Sequence, residues 1–215
     1  MMLHQQSTMI ADTFTIGTDE GAILSITSDP GGGKSAAVDY WFQRYGIPSG
    51  LKVTDRPARS TMHSTGPGEP VCISLEDFTR LAVRPGFYQY TYGGYRYGFF
   101  RHDLLSLLTL SRVVTVIHSD ETVALRLHQD FRGIARVIRA EIRTDGDILL
   151  ERLRATGASE TEIQARINRA STSGSPAPGV ERVVIDNNFD WSWFQSQLDA
   201  LVAPYLPIRT LEVAA

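Results

Sequence analysis

Continuous apolar runs alternate with segments of helical periodicity along most of this chain. The runs at 22–27, 113–117 and 183–185 predict strands that are buried on both faces, and a further strand is predicted over 135–142. Amphipathic spacing predicts helices over 35–45, 122–131, 148–154, 160–170 and 191–202. Strands that alternate with helices form a mostly parallel sheet with helices on its faces. The pattern therefore predicts an α/β fold with its ligand site at the carboxyl ends of the strands.

One segment, 51–99, interrupts this alternation. Its aromatic strands at 87–92 and 95–99 flank Gly93-Gly94, a pair of residues that is typical of a β-hairpin. We interpret the segment as a small β-rich insert that binds a second substrate. The predicted organisation is a core at 21–50 and 100–215, the insert at 51–99, a helical lid at about 152–170 and a flexible extension at 1–20.

Composition and charge narrow the class of protein. The chain has 215 residues, of which 42% are apolar and 21% charged, as in ordinary globular proteins. A formal net charge of -3 argues against a general nucleic-acid-binding protein, which usually carries a basic surplus. The lone cysteine, Cys72, favours a reducing compartment. We see no secretory signal and no apolar run of about 18 residues, so we expect a cytoplasmic monomer or homodimer without a membrane partner.

A glycine-rich turn joins the predicted strand at 22–27 to the predicted helix at 35–45. It reads Ser28-Asp29-Pro30-Gly31-Gly32-Gly33-Lys34-Ser35-Ala36. Glycines allow successive backbone N–H groups to point at one anion, and the N-terminus of a helix adds partial positive charge. In such a phosphate-binding loop, Lys34 reaches the outer phosphates of ATP and Ser35 offers its hydroxyl to Mg²⁺.

Two features of this loop point in opposite directions. Ser28 stands where the pattern G-x-x-x-x-G-K-[ST] has glycine, which leaves open an ordinary glycine-rich turn. Against that, only Lys34 and Lys52 are lysines among 21 basic residues, so a chance lysine at this position is improbable. We therefore predict that residues 29–36 bind ATP, with Lys34 as a catalytic residue and Ser35 as the residue that contacts the metal.

Two groups of arginines are candidates for binding phosphate. Arg56 and Arg59, three positions apart, could hold an acceptor phosphate bidentately, although a solvated pair is an equal alternative. Arg152 and Arg166 lie on either side of the small residues at 155–158, an arrangement that suits a mobile lid closing over the phosphates. A solvated helix face is the alternative for this second group.

Two residues at the end of the predicted strand at 113–117 also bear on the site. We expect His118 to have a core or supporting role, since phosphoryl transfer depends on positioning and charge stabilisation rather than on a histidine. Asp120 could hold Mg²⁺ through water or cap the helix that follows. The tyrosines between 88 and 97 are expected to pack mainly in a small β core.

In order and spacing, these motifs resemble the guanylate kinase family from about Ala22 to Leu201. The resemblance rests on residues 28–35, Thr54-x-Arg56-x-x-Arg59, Ile73-Ser74-Leu75-Glu76-Asp77-Phe78, Phe87-Tyr88-Gln89, Gly94-Tyr95-Arg96-Tyr97-Gly98, Arg152-Leu153 and Val184-Ile185-Asp186-Asn187. It implies a P-loop kinase fold, ATP and Mg²⁺ as cofactors, and transfer of a phosphoryl group to a nucleoside monophosphate, GMP by default. The implied acceptor-binding residues are Arg56, Arg59, Gln89 and Tyr97. The resemblance also implies that Arg152 and Arg166 neutralise the transferring group and that Asn187 lies near the adenine.

The positions that would read a guanine base depart from the family pattern. Gln89 occupies the position of a family carboxylate that accepts from two guanine N–H groups. Phe99 occupies the position of a family serine, and Thr156 occupies that of a second lid arginine. A mismatched buried polar group costs about 1–3 kcal/mol, so guanine selection should be weak. Three alternatives stay open: a kinase of ribose 1,5-bisphosphate or another phosphometabolite, an inactive binding module with the same fold, and a different P-loop phosphotransferase.

Overall fold

A computed structural model describes residues 21–58, 66–118, 120–155, 157, 159–161, 163–164 and 179–206. The strands are β1 (Gly21–Ser28), β2 (Val53–Thr54), β3 (Val71–Cys72), β4 (Phe87–Tyr92), β5 (Tyr95–Phe100), β6 (Val113–Ile117), β7 (Ala135–Arg143) and β8 (Glu181–Asp186). The helices are α1 (Lys34–Tyr45), α2 (Leu75–Ala82), α3 (Arg101–Leu110), α4 (Glu121–Asp130), α5 (Gly146–Ala155) and α6 (Trp191–Val202), followed by a 3₁₀ turn (Ala203–Tyr205). The expected extension at 1–20 and most of the predicted helix at 160–170 lie outside the described residues.

A four-stranded parallel sheet in the order β6-β1-β7-β8 forms the centre of the protein. Successive residues of β1 point to opposite helical layers, because side chains alternate along a strand. Leu24 belongs to the apolar cluster that includes Trp41 of α1 and Leu198 of α6, whereas Ile23 belongs to the cluster that includes residues of α3 and α4. The Trp41 indole N–H donates to the Leu198 carbonyl at 3.0 Å and so fixes α1 against α6. The predicted α/β class, with a parallel sheet flanked by helices, is confirmed.

A second sheet, in the order β3-β2-β5-β4, lies beside the carboxyl edge of the central sheet. Its β4–β5 hairpin turns at Gly93-Gly94, where φ is 61° and 82°, values that favour glycine. The Gly50 N–H donates to the Thr115 carbonyl of β6 at 2.8 Å. This contact ties the chain to the central sheet just before it enters β2.

Side-chain caps define where several helices begin. Ser74 Oγ accepts from the Asp77 N–H at 3.0 Å at the start of α2, and Asp120 Oδ1 accepts from the Thr122 N–H at 2.8 Å at the start of α4. Of the two roles considered for Asp120, capping is therefore the one observed. Helix α3 begins at Arg101, directly after β5, and has no side-chain cap from the described residues. Among the described residues, no helix combines the length and apolar character needed to cross a membrane.

Candidate active site

The glycine-rich loop leaves β1 at Ser28 and enters α1 at Lys34. Gly31 and Gly33 have φ of 84° and 106°, in the left-handed region that residues with a Cβ rarely adopt. A Cβ on Gly33 would also lie 2.5 Å from Asn187 Nδ2. The loop therefore has the backbone geometry and the closeness to its neighbours that a phosphate-binding turn requires.

Lys34 folds back over this loop and makes several short contacts with it. Its Nζ donates to the Ser28 carbonyl at 2.6 Å, to Ser28 Oγ at 2.8 Å and to the Asp29 carbonyl at 3.1 Å. Burial of the ammonium, together with the nearby charge of Lys52, lowers the pKa of Lys34 to about 8, although Asp29 opposes this shift. Binding of an anion next to such a partly desolvated ammonium stabilises its charged form strongly.

Ser28, which departs from the usual pattern, is part of this arrangement. Its hydroxyl accepts from Lys34 and donates to the Asp29 carbonyl at 2.8 Å. A Cβ on Gly32 would lie 2.8 Å from the same hydroxyl oxygen. The serine therefore substitutes a side-chain contact for the flexibility of a glycine and keeps the loop compact.

Ser35 lies in the first turn of α1, on the solvent side of the loop. Its hydroxyl donates to Glu69 Oε1 at 3.4 Å, and Glu69 together with burial raises the pKa of Asp39, one turn further along α1, with burial as the larger cause. Hydroxyl and carboxylate oxygens are donors that suit Mg²⁺. The part of the chain that the structure describes holds no group of three or more His, Cys, Asp or Glu side chains arranged for a metal. Ser35, with Glu69 next to it, would supply one ligand of Mg²⁺, and water and substrate phosphates would supply others.

Asn187 and Arg152 brace the loop from the other end of the chain. Asn187, which is buried after β8, donates from Nδ2 to the Gly32 carbonyl at 2.9 Å. Arg152 of α5 donates to the Asn187 carbonyl at 3.0 Å. Leu149 and Leu153 of the same helix lie close to Gly31. The amide of Asn187 is thus engaged with the loop itself, and α5 covers the loop.

A second part of the candidate site is built on β2 and β5. Thr54 pairs with Tyr97, and Thr54 Oγ1 accepts from the Arg56 N–H at 3.1 Å and donates to the Arg96 carbonyl at 2.8 Å. The bond from Arg56 fixes its backbone beside Thr54, the residue that pairs with Tyr97. The Arg56 Nε atom is buried and has no hydrogen-bond partner among the described residues, which is unusual for a guanidinium.

The two hairpin strands place Gln89 away from Tyr97. Tyr97 pairs with Tyr90, whereas Gln89 pairs with Gly98. Because directly opposed residues share a face and neighbouring residues alternate, Gln89 lies on the opposite face from Tyr97. Gln89 is exposed, whereas Tyr90 and Tyr97 are each 7% exposed. The expectation that Gln89 and Tyr97 contact one small acceptor is therefore corrected by the register of the hairpin.

The face that carries Tyr97 is filled by aromatic rings further along the hairpin. Tyr88 and Phe99 are 0% and 1% exposed, and their ring centroids are 5.2 Å apart. The Tyr88 hydroxyl donates to Asp130 Oδ2 at 2.7 Å at the end of α4. Phe99 thus has almost no surface with which to contact a ligand.

His118 is a buried supporting residue at the end of β6. The Asp120 N–H donates to its Nδ1 at 3.3 Å, so Nε2 carries the proton and donates to Ser25 Oγ at 2.5 Å. Burial lowers the pKa of His118 to about 3, with Asp120 opposing the shift and Lys52 adding to it. His118 is therefore neutral at physiological pH, in agreement with the supporting role expected from the sequence.

The structure brings most of the predicted residues to one edge of the sheet, while two lie outside its described part. Arg59 and Arg166 fall in segments that the structure does not describe, so their predicted roles stay predictions. Sequence reasoning missed Glu69 and the burial of Lys52 close to Lys34. The rarity of lysine in this chain was the signal that could have drawn attention to Lys52.

Comparisons with known proteins bear on the fold. No family model matches the chain, and no curated protein matches it. A crystal structure of guanylate kinase from Anaplasma phagocytophilum is similar, with a TM-score of 0.56, 16% identity, and coverage of 92% of this chain and 97% of that chain. The chain therefore has an α/β fold like that of this guanylate kinase structure, with a parallel sheet flanked by helices. The resemblance drawn from the motifs is thus confirmed at the level of the fold.

Two further solved structures show weaker similarity. A sugar kinase from Janibacter sp. has a TM-score of 0.43 and 11% identity, with coverage of 91% of this chain and 96% of that one. A gluconokinase from Sinorhizobium meliloti has a TM-score of 0.42 and 15% identity, with coverage of 92% and 94%. At these scores the two structures add nothing to the assignment of the fold.

Proposed function

We propose that this P-loop protein is an ATP-dependent phosphotransferase that moves the γ-phosphoryl group of ATP onto the phosphate of a small acceptor. The observation that carries the proposal is the loop around Lys34, with its left-handed glycines and a partly desolvated ammonium at the start of α1. This geometry suits a polyphosphate, and phosphoryl transfer depends chiefly on positioning and charge stabilisation.

Each part of the cleft has a role in this proposal. The backbone of residues 29–36 would hold the phosphates of ATP, and Lys34 would exchange its carbonyl partners for phosphate oxygens. Ser35 fits Mg²⁺, which when bound would neutralise charge on the β- and γ-phosphates. Arg152 is anchored on the Asn187 carbonyl, and from there it would meet the charge that develops on the transferring group.

Arg56 and Tyr97 are the described residues that we propose for holding the phosphate of the acceptor. The unpartnered Nε of Arg56 supports this role, because an anion would supply the missing acceptor atom. The resemblance makes GMP the default acceptor. The exposed position of Gln89 and the burial of Phe99 favour an acceptor without a base, such as ribose 1,5-bisphosphate or another sugar phosphate.

An inactive binding module is the competing function, and the same loop argues against it. Such a module has no need to keep a partly desolvated lysine, and burial of an ammonium is unfavourable in the absence of a ligand. Lys34 and Ser35 are both present at the start of α1.

The test is ADP release with Mg-ATP against GMP, dGMP, AMP, UMP, dTMP and ribose 1,5-bisphosphate. We expect turnover with at least one acceptor and a loss of about a hundredfold to a thousandfold in kcat for Lys34→Ala, as for other essential electrostatic contacts. Arg84→Gln, which removes an exposed cation in the turn after α2, is the matched control. ATP binding without turnover on any of these acceptors would instead favour the binding module.

A comparison of two variants separates the possible acceptors. Tyr97→Phe should raise the KM of the acceptor, whereas Gln89→Ala should leave it unchanged, because the two side chains lie on opposite faces of the hairpin. A large effect of Gln89→Ala on turnover with GMP would restore the nucleotide as the substrate.

A further inference from the structure

The chain contains two lysines, and the second lies at the same edge of the sheet as the first. Lys52 precedes β2 and is 7% exposed. Its Nζ donates to the Ile117 carbonyl at the end of β6, at the long distance of 3.4 Å. Within the described part of the chain, no carboxylate oxygen lies within 4.0 Å of this ammonium in an ion pair. A buried cation with three donors and a single long bond is poorly satisfied.

The charges around Lys52 make its position less favourable still. Burial lowers its pKa to about 8, Arg56 adds to the shift, and Glu69 opposes it. Lys52 in turn lowers the pKa of Lys34. Lys52 is therefore close enough to both Lys34 and Arg56 to be repelled by each of them, whereas the charge of Glu69 opposes the lowering of its pKa.

Hydrogen-bond donors also outnumber acceptors in this part of the cleft. The Tyr90 hydroxyl donates to the Ile117 carbonyl at 3.2 Å, so it shares that acceptor with Lys52. The Nε of Arg56 has no partner among the described residues. His118, whose ring lies edge-on to Tyr90 at 6.2 Å, is neutral and offers no charge. The missing acceptors would be supplied by an oxyanion.

We infer that Lys52 is an acceptor-binding residue that contacts a phosphate oxygen of the acceptor between Lys34 and Arg56. This inference rests on the proposed function, because it places the accepting phosphate in the same cleft. It deepens that proposal by making recognition of the acceptor depend on charge. An acceptor phosphate would gain two further cations and relieve their mutual repulsion.

The scarcity of lysine allows a direct test on the full chain. In protein labelled with ¹³C and ¹⁵N at lysine alone, the side chains give two sets of NMR signals, which Lys52→Arg assigns. The nucleotide site is first filled with a non-hydrolysable Mg-ATP analogue, and inorganic phosphate is then added as the probe. We expect the Lys52 signal to move and its pKa to rise by about one unit or more, equivalent to a tenfold preference of phosphate for the charged form. A Lys52 signal that does not change in saturating phosphate would overturn the inference.

Kinetics supply a second readout. Lys52→Met should raise the KM of the acceptor by about tenfold or more while the KM of ATP stays within about twofold, and Lys52→Arg should restore part of the loss. Arg84→Gln, an exposed change of charge, should alter neither constant. An equal rise in the KM of the acceptor and the KM of ATP, or no rise in either, would contradict a contact between Lys52 and the acceptor.

Failure of the inference and failure of the proposed function have different signatures. If the wild-type protein shows no turnover but its Lys52 signal responds to phosphate, the proposed binding site stands and the proposed enzymatic function fails. If the enzyme is active but its Lys52 signal does not change with phosphate and its KM values do not change in Lys52→Met, the proposed function stands and the inference is overturned.

Discussion

Replacement of Lys52 by methionine should stabilise the protein while it weakens binding of the acceptor. Methionine keeps most of the volume and apolar length of the lysine and removes its buried charge. The ammonium contributes one long hydrogen bond to the Ile117 carbonyl. A lysine with a purely structural role would show the opposite effect, since its removal would lower the free energy of unfolding.

The size of the effect follows from the pKa. The folded state lowers the pKa of Lys52 from 10.5 to about 8, and a shift of this size disfavours the folded state by about 3 kcal/mol at pH 7. Loss of a weak hydrogen bond offsets about 1 kcal/mol. The net gain of about 2 kcal/mol corresponds to a rise in Tm of about 4–8 °C for a domain of this size.

The same shift fixes the sign of the pH dependence. Because the folded-state pKa is depressed, the unfolded chain binds more protons between pH 8 and 10.5, and wild-type stability rises with pH in that window. The charges that face Lys52 are those of Lys34, Arg56 and Glu69, with neutral His118 nearby. Of these, Lys34 titrates in the same window and in the same direction, so the comparison must be made between variant and wild type.

Urea denaturation of wild type and Lys52→Met at pH 7 and pH 10 measures this difference. We expect the variant to be more stable than wild type by about 2 kcal/mol at pH 7 and by about zero at pH 10. At pH 10 the buried charge destabilises the wild type by only about 1 kcal/mol, and the hydrogen bond that the variant lacks stabilises the wild type by about the same amount. Arg84→Gln should change stability by less than about 0.5 kcal/mol at either pH. A variant that is less stable than wild type at pH 7, or whose advantage grows at pH 10, would refute the reasoning.

Two further predictions concern the loop and the buried histidine. Gly33→Ala should reduce affinity for Mg-ATP by about a hundredfold or more, because its Cβ would lie 2.5 Å from Asn187 Nδ2. The control is Gly133→Ala, a position that also has a positive φ, 75°, but has open space around it. Calorimetric titration should show that Gly133→Ala leaves the affinity for Mg-ATP unchanged. His118 has a pKa of about 3, below its unfolded value of 6.5, so stability should fall as pH drops from 6.5 towards 3. Urea midpoints across that range should show a smaller fall in His118→Gln, and equal falls would argue against a neutral buried imidazole.

The strand, glycine turn and helix around Lys34 were predictable because their determinants are local. A strand, a glycine turn and a helix start follow one another within residues 21–45, and the motif itself names Lys34 and Ser35. The order of the strands was not predictable in this way, because it depends on contacts between distant segments. Ser28 appeared only as a departure, since the sequence does not show that its hydroxyl lies 2.8 Å from Lys34 Nζ.

Gln89 shows how small an error can move a residue out of a site. The position of the hairpin turn at Gly93-Gly94 was predicted, but Gln89 was placed by resemblance to a family motif. The register pairs Gln89 with Gly98 and Tyr90 with Tyr97. A shift of one residue along a strand moves a side chain to the other face. Counting residues outward from the turn would have placed Tyr88 and Tyr90, rather than Gln89, on the face of the hairpin that carries Tyr97.

Lys52 illustrates a different limit of the sequence. Its rarity was visible, but its burial arises from the pairing of the chain before β2 with β6, as in the contact between Gly50 and Thr115. Contacts of this kind join segments more than sixty positions apart, and hydrophobic periodicity carries no information about them.

The contact between Asn187 and Gly32 joins positions 155 apart in the chain, and the Trp41 indole meets Leu198 across 157 positions. A ribosome therefore completes the glycine-rich motif at 28–35 long before it makes the residues that brace it. During synthesis, the nascent chain would carry the sequence of the loop without its final shape. Under the proposed function, affinity for nucleotide should emerge late, when β8 and α6 dock, and a chain terminated before β8 should have the motif and bind no nucleotide.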